Sequence, residues 1–378
     1  TAVAGTAVLA AVATAAGTAV LADTGGSGAP VTPHATRTAT ATPTRSATPE
    51  TTAPKLPAGV EVPTSELTGA PAQRLNLWQP DSGWGRPSPA YGVTGVVAPA
   101  EVSPAGTISH PPINGVNPDN IDETVDLPGG LLAAYVHQLV GQPPPGTPDG
   151  PTNPYVVGKV LIVNPDGSVV TSAVIPTLGQ EVSMVGASTT VAYLLRPGGI
   201  FSHDLASGTE HLIVSARAMG LVPDSVIYVD IGGGRLAAAD AKLAGHCLVR
   251  IFDVTSGTAM ATISLDPLGC DRVDGSDGST VGHPRLSPDG RRVAVEYGTK
   301  DGSGVVSHLA VFDADDGTLI ADRRLGVLVQ RDAFFAQVWG IAWYDPTTVM
   351  IAWTALPAEP TRDYGLADVL EVLALKVS

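Results

Sequence analysis

The chain has 378 residues, 44% of them hydrophobic and only 15% charged, with 43 Gly and 33 Pro. That much glycine and proline suits many short strands and tight turns rather than packed long helices, and a closed all-β ring uses a chain of this length as one folding unit. A formal charge of −15 repels phosphate backbones, because the counterion release that drives such binding needs a surplus of Lys and Arg, so nucleic acid is not an expected partner.

Residues 1–22 carry no charge, and an apolar run of that length is able to cross a bilayer as a helix. Beyond its valines only Leu9 and Leu21 are strongly apolar, which keeps an Ala-rich soluble helix as the alternative. Val20-Leu21-Ala22 has the small-x-small character of a signal-peptidase site, so the segment reads as a cleaved signal peptide or a retained anchor, and the opening Thr is taken as a sign that residues upstream are removed. Residues 23–62 run through Thr/Pro/Ala repeats such as Thr40-Ala-Thr-Pro-Thr44, with too few large apolar side chains to offset ordering entropy. Proline stiffens such a linker, and its threonines are able to carry sugars outside a cell. Apolar segment, stalk and folded part together predict an extracytoplasmic protein, membrane-anchored or secreted, against the alternative of a disordered cytosolic tail. Residues 63–118 hold only isolated strand-like runs, Leu75 to Trp78 and Val93 to Val97, expected to supply a closing strand or one irregular blade to the array that follows.

From residue 119 onward the chain repeats itself. Leu248-Val-Arg-Ile-Phe-Asp253-Val-Thr-Ser-Gly257-Thr and Leu309-Ala-Val-Phe-Asp313-Ala-Asp-Asp-Gly317-Thr share an apolar strand, Phe-Asp, a polar turn closing on Gly-Thr, and a second strand. Ile200 to Asp204 with Gly208-Thr is a weaker copy, and Val160 to Asn164 with Gly167 keeps the outline. Asp or Asn followed by Gly suits such a hairpin because the side chain bonds nearby amides and Gly accepts positive φ. A second kind of hairpin alternates with these, clearest in Pro284-Arg-Leu-Ser-Pro-Asp289-Gly290-Arg-Arg-Val-Ala-Val-Glu-Tyr297 and repeated from Val182 to Leu194 and from Val338 to Trp353. Four strands per unit and a unit of about 40 to 60 residues predict an all-β fold, a β-propeller of four-stranded antiparallel blades. Third strands are placed at 160–164, 200–204, 249–253, 309–313 and 369–373, giving five to seven blades over residues 63–378. Asp204, Gly208, Asp253, Gly257, Asp289, Gly290, Asp313 and Gly317 are read as structural turn residues.

The region from residue 119 to the end resembles WD-repeat and TolB-like propellers. Leu286-Ser-Pro-Asp-Gly290-Arg resembles the turn between the first two blade strands, and Phe252-Asp253 and Phe312-Asp313 stand where a Trp-Asp pair sits in WD repeats. No Trp-Asp dipeptide occurs, and a convincing Gly-His appears only at Gly282-His283. The resemblance implies a bacterial envelope protein that binds a partner through one face of the ring.

Several chemical signals compete with that reading. Val226 to Ile231, then Gly232-Gly-Gly234-Arg-Leu-Ala237, with Asp253 downstream, matches the dinucleotide fingerprint, whose glycines admit a pyrophosphate to a helix N-terminus. Against it, Asp253 belongs to the repeated Phe-Asp turn, and the glycines occupy the slot of the Ser-Pro-Asp-Gly turn. Asp271, Asp274 and Asp277 alternate with Gly and Ser, as a calcium loop or a solvated connection. Asp230, Asp240 and Glu296 are the acids that face the channel if the ring is a hydrolase, turn or surface carboxylates otherwise. His137, His203, His211, His246, His283 and His308 form no metal-ligand spacing, no G-x-S-x-G occurs, and Trp339, Trp343 and Trp353 suit blade packing better than a sugar platform. Cys247 and Cys270 are either a disulfide or two buried thiols; a hairpin about Ser256-Gly257 sets Cys247 opposite Asp266 and returns Cys270 to its side. No catalytic residue, cofactor or metal is assigned. The expectation is a monomeric binding or scaffold module for a protein or cell-wall ligand; a propeller hydrolase or lyase, or the sensor of a membrane regulator whose cytosolic part lies upstream, are the alternatives.

Overall fold

The computed structural model describes residues 112–117, 120–140, 155–177, 182–220, 227–240, 247–270, 281–301, 304–329, 334–357, 364–365 and 370–377, with four short strands before them. Those are β1 (Gln73–Asn76), β2 (Val93–Thr94), β3 (Pro99–Val102) and β4 (Ile108–Ser109). The expected signal or anchor at 1–22 and the linker at 23–62 lie outside the described residues.

The fold is a β-propeller. Blade one is β5 (Ile121–Asp126), β6 (Leu132–Val140), β7 (Tyr155–Val163) and β8 (Val169–Ile175); blade two is β9 (Ser183–Ala187), β10 (Val191–Arg196), β11 (Gly199–Asp204) and β12 (Glu210–Ser215). Blade three is β13 (Ile227–Gly232), β14 (Arg235–Asp240), β15 (Leu248–Asp253) and β16 (Ala259–Ser264); blade four is β17 (Arg285–Leu286), β18 (Arg292–Asp301), β19 (Gly304–Asp313) and β20 (Leu319–Val329). Blade five has β21 (Phe334–Asp345), β22 (Thr348–Pro357) and β24 (Leu370–Lys376) among the described residues, while β23 (Tyr364–Gly365) pairs in parallel with β2. Within every blade neighbours are antiparallel and follow chain order, so the predicted third strands are β7, β11, β15, β19 and β24.

The first strands of successive blades lie side by side, β5 by β9, β9 by β13, β13 by β17 and β17 by β21, and β1 lies beside both β21 and β5. That sequence of neighbours is a closed circuit, with the three-stranded sheet β1-β3-β4 occupying the place between blades five and one. Neither β1 nor β2 extends blade five beyond β24.

Each middle strand is apolar on both faces because it is sandwiched between two other sheets. On β14, Leu236 and Ala238 pack toward blade two while Ala237 and Ala239 pack toward blade four. On β18, Val293, Val295 and Tyr297 pack toward blade three and Ala294 toward blade five. The Arg235–Asp240 run that the dinucleotide reading needed as a helix is therefore a central strand.

Antiparallel order brings the first-to-second and third-to-fourth turns of a blade to one edge, and a repeated hydrogen bond joins them. Leu205, Val254, Ala314 and Val377, each one residue past the end of a third strand, donate their N–H to Thr190, Gly234, Arg291 and Thr347 in the inner turns, at 2.9, 3.0, 2.8 and 2.8 Å. All four side chains are buried. At the turns themselves the Asp253 carbonyl accepts from Gly257 N–H at 2.8 Å, and its carboxylate accepts from Ser256 N–H and Oγ–H at 2.7 and 2.8 Å. Asp204 repeats this with Gly208 and Ser207. Asp313 accepts from Gly317, and the three closing glycines have φ of 71, 68 and 76°.

One register differs from expectation. The turn centres one residue earlier than expected, with Phe252 opposite Ala259, and a bulge between Ile251 and Phe252 then moves the β15–β16 ladder back by one residue, so Cys247 stands opposite Leu265, whose N–H it accepts at 2.9 Å. Asp266 instead accepts the Cys247 N–H through its side chain at 3.0 Å.

Candidate functional site

The inner wall between blades three, four and five is built from residues two apart on facing strands. Tyr228 and Asp230 of β13 meet His283 and Arg285 at the start of blade four: the Tyr228 and His283 rings lie 3.9 Å apart, and Arg285 bonds an Asp230 oxygen at 3.0 Å. The second Asp230 oxygen accepts Leu286 N–H at 2.7 Å. Arg285 also donates Nε–H to the Ile341 carbonyl at 3.2 Å, while its own carbonyl accepts Trp343 Nε1–H at 2.9 Å. One arginine thus fastens three blades. Burial, with Arg285 beside it, holds the His283 imidazole well below its ordinary range and hence neutral.

Glu296, half-buried on β18, accepts from Ser307 Oγ–H at 3.1 Å. Burial pushes its carboxyl up to about 7 against the lowering effect of that hydrogen bond. The Asp240 side chain lies outside the described residues. Of the three predicted channel acids, Asp230 is an inter-blade tie and Glu296 engages Ser307 rather than Asp230.

The turn edge of the ring carries exposed carboxylates held ionised. Asp204 and Asp253 are lowered by backbone and hydroxyl donors of Ser207 and Ser256, Asp166 and Asp289 chiefly by the Ser168 and Ser287 hydroxyls, and Asp316 by Thr318. Two arginines of the same edge latch neighbouring blades. Arg235 donates to the Gly290 carbonyl at 2.8 Å and pairs with Asp315; Arg292, in the matching position one blade later, donates to the Pro346 carbonyl at 2.7 Å. Gly232 to Arg235 is a two-residue hairpin turn, with φ of 54° at Gly233 and 78° at Gly234.

The other edge of blade four holds a polar row that no sequence spacing announces. Tyr297 and Thr299 of β18, His308 of β19 and Asp322 of β20 share the side facing blade three. Thr299 Oγ1 is 3.1 Å from His308 Nε2, and His308 Nδ1 is 3.4 Å from Asp322 Oδ1. The Tyr297 ring stacks on His308 at 4.9 Å. Cys270, in a disulfide with Cys247 (Cα–Cα 6.2 Å), pairs its backbone with Thr299. Only the β-ladder register brings 299, 308 and 322 together, so residue spacing carries no signal for them.

The remaining candidates are dispersed. His203 is buried and bonds Glu210 at 2.9 Å, which Arg196 also binds at 2.6 Å; His137 bonds Asp122 at 2.8 Å; His211 is exposed. Trp343 packs in the core between blades four and five. His246, the Asp271, Asp274 and Asp277 loop, and the side chains of Trp339 and Trp353 lie outside the described residues. Among the described residues no group of three or more His, Cys, Asp or Glu is arranged to hold a metal ion.

No protein-family model matches the chain, and no curated protein matches it. Among solved structures it is similar to a member of the DUF4221 family from Bacteroides vulgatus at 10% identity, over 65% of this chain and 86% of that one, with a TM-score of 0.36. It is similar to the β-propeller domain of the Trilobed protease from Pyrococcus furiosus at 10% identity, over 68% of this chain and 71% of that one, TM-score 0.37. A puromycin-hydrolyzing peptidase from Mycobacterium tuberculosis matches at 15% identity over 62% of this chain but only 34% of its own, TM-score 0.33. These are distant likenesses, and the strand order is what makes the chain a β-propeller of five successive blades closed by a smaller sheet.

Proposed function

We propose that this chain is an extracytoplasmic binding module, a propeller of WD-repeat-like or TolB-like type that offers its turn edge to a protein or cell-envelope ligand. The observation that carries the reading is the gathering of the Asp-Gly turns on one edge, with carboxylates kept ionised at Asp166, Asp204, Asp253, Asp289 and Asp316. Rigid scaffolds present binding residues on such loops, and a surface of that sign favours a partner bearing exposed Lys or Arg. The Cys247–Cys270 disulfide supports the location, since such bonds persist in oxidising compartments. The Phe-Asp and Ser-Pro-Asp-Gly turns support the type.

The test is crosslinking in intact cells of the native host, comparing the wild-type chain with one carrying Asp166→Asn, Asp204→Asn, Asp253→Asn and Asp316→Asn, which keeps turn-forming side chains. The same partner is expected to be captured by the wild type and reduced at least about tenfold by the neutral variant, as loss of several complementary charges implies. Equal capture by both, or a chain inaccessible to protease added outside the cytoplasmic membrane, rejects the reading.

A further inference from the structure

We propose that Thr299, His308 and Asp322 form a nucleophilic acyl-transfer site for short, neutral carboxylic esters, on the side of blade four that faces blade three. This goes beyond the binding role and does not rest on it.

A threonine hydroxyl is a weak nucleophile until a base takes its proton, and the base must itself be aimed. His308 meets the first need directly, Nε2 lying 3.1 Å from Thr299 Oγ1; its buried Nδ1 makes no hydrogen bond in the structure and has Asp322 Oδ1 as a carboxylate neighbour at 3.4 Å. A carboxylate on the Nδ1 side favours the tautomer protonated there, which leaves the Nε2 lone pair toward the hydroxyl. The Asp–His pair is thus close and poorly aligned, as catalytic contacts in unliganded sites often are before substrate tightens them. Tyr297, stacked at 4.9 Å, fixes the imidazole plane, and Arg324 stands directly across the ladder from His308.

Three further features define the substrate. His308 is 16% and Asp322 32% exposed, so the row opens to solvent while remaining shielded on its Tyr297 side. Gly269 has no side chain to occupy the space beside Thr299, whose methyl lies 3.8 Å from where a Cβ would be, and this leaves room for a small acyl group. The Asp322 carboxylate and the net charge of −15 disfavour an anionic acyl chain.

In the first step Thr299 Oγ bonds to the ester carbonyl carbon, its proton passes to His308 Nε2, and the carbonyl π pair becomes an oxyanion. The oxyanion collapses, the carbon–alkoxide bond breaks, and His308 returns the proton to the departing alcohol, leaving acyl-Thr299. Water, deprotonated by the same nitrogen, then releases the acid and restores the hydroxyl.

The test uses the full chain and p-nitrophenyl acetate, with rates of nitrophenol release and peptide mapping of the acetylated protein. The expected result is an acetyl group on Thr299, release slowed about a hundredfold or more in Thr299→Ala, and a rate within about tenfold of wild type in Thr299→Ser, the loss typical of removing a nucleophile and its retention by a conservative swap. Thermal melts and near-ultraviolet circular dichroism identify any variant that fails to fold, in which case Thr299→Val, isosteric and lacking only the hydroxyl, replaces the alanine. An unmodified Thr299 in the folded wild type, acetylation only at other residues, or unchanged release in the alanine or valine variant overturns the proposal.

Discussion

Glu296 and Arg285 show two outcomes for a charge placed inside the ring. Arg285 has an acid and a carbonyl as partners in two neighbouring blades, so its desolvation is offset by directed bonds. Glu296 has one hydroxyl partner, and burial dominates. Its carboxyl sits near 7 in the fold, above the value of 4.5 expected of an unfolded chain. Between those values the folded state holds a proton that the unfolded state has lost. The contribution is therefore full below about 4.5, falls as pH rises toward 7, and is gone above it. Glu296→Gln, which cannot ionise, is expected to flatten that decline and to be more stable than wild type at pH 8 by on the order of 2 kcal/mol; urea melts across this pH range measure it. The turn carboxylates have the opposite sign, their folded values being depressed, and their contributions fade as pH drops through the acidic range. What the sequence discloses at this scale is whatever is local. Asp253 and Gly257 announce their turn because both act within five residues, whereas Thr299, His308 and Asp322 meet only through the registers of three strands, and Asp230 gives no hint that both its oxygens serve blade four.

Blades are held to one another by backbone as much as by side chains. The Gly232-Gly-Gly234 turn of blade three lies on the Ser287-Pro-Asp-Gly290 turn of blade four so closely that a Cβ on Gly233 would overlap the Gly290 nitrogen and the Asp289 carbonyl. Its φ of 54° adds the ordinary cost of a left-handed alanine. Gly233→Ala is accordingly expected to destabilise by more than about 2 kcal/mol, while Gly234→Ala, with φ of 78° but open space around its Cβ position, loses only about 1 kcal/mol or so from the backbone alone; paired denaturant melts separate them. Hairpins of both kinds are readable from their turn residues. Their registers are less so, because turn position and bulges set them jointly: the turn of β15 and β16 draws the partner of Cys247 two residues back from Asp266, and the bulge at Ile251 and Phe252, a product of strand twist and packing, restores one. The glycine run is ambiguous in sequence because its chemistry, positive φ and close backbone approach, serves a phosphate loop and a blade contact equally.

For the whole molecule, closure is the property hardest to read from sequence, since β1 shares no motif with the blades and is placed only by its position beside β21 and β5. Residues 51–378 form one compact unit, so a chain beginning at residue 51 is expected to melt like the full protein. A chain beginning at residue 112 lacks β1 to β4 and opens the circuit. It is expected to melt roughly 10 °C lower, the shift several kcal/mol produce in a domain of this size, and to associate through uncovered strand edges; calorimetry and size-exclusion chromatography provide the comparison. Blade one adds a related asymmetry. Where Leu205, Val254, Ala314 and Val377 donate an amide to their inner turns, blade one has Pro165, which has none to give. Its outer turn is instead buckled from outside, Asn114 N–H bonding the Gly167 carbonyl at 2.9 Å while Ile113 and Val116 cap the adjoining apolar face. Four blades carry their own rivet, and the remaining one depends on a strap from the chain ahead of it, so that strap is where the assembled wheel first loosens.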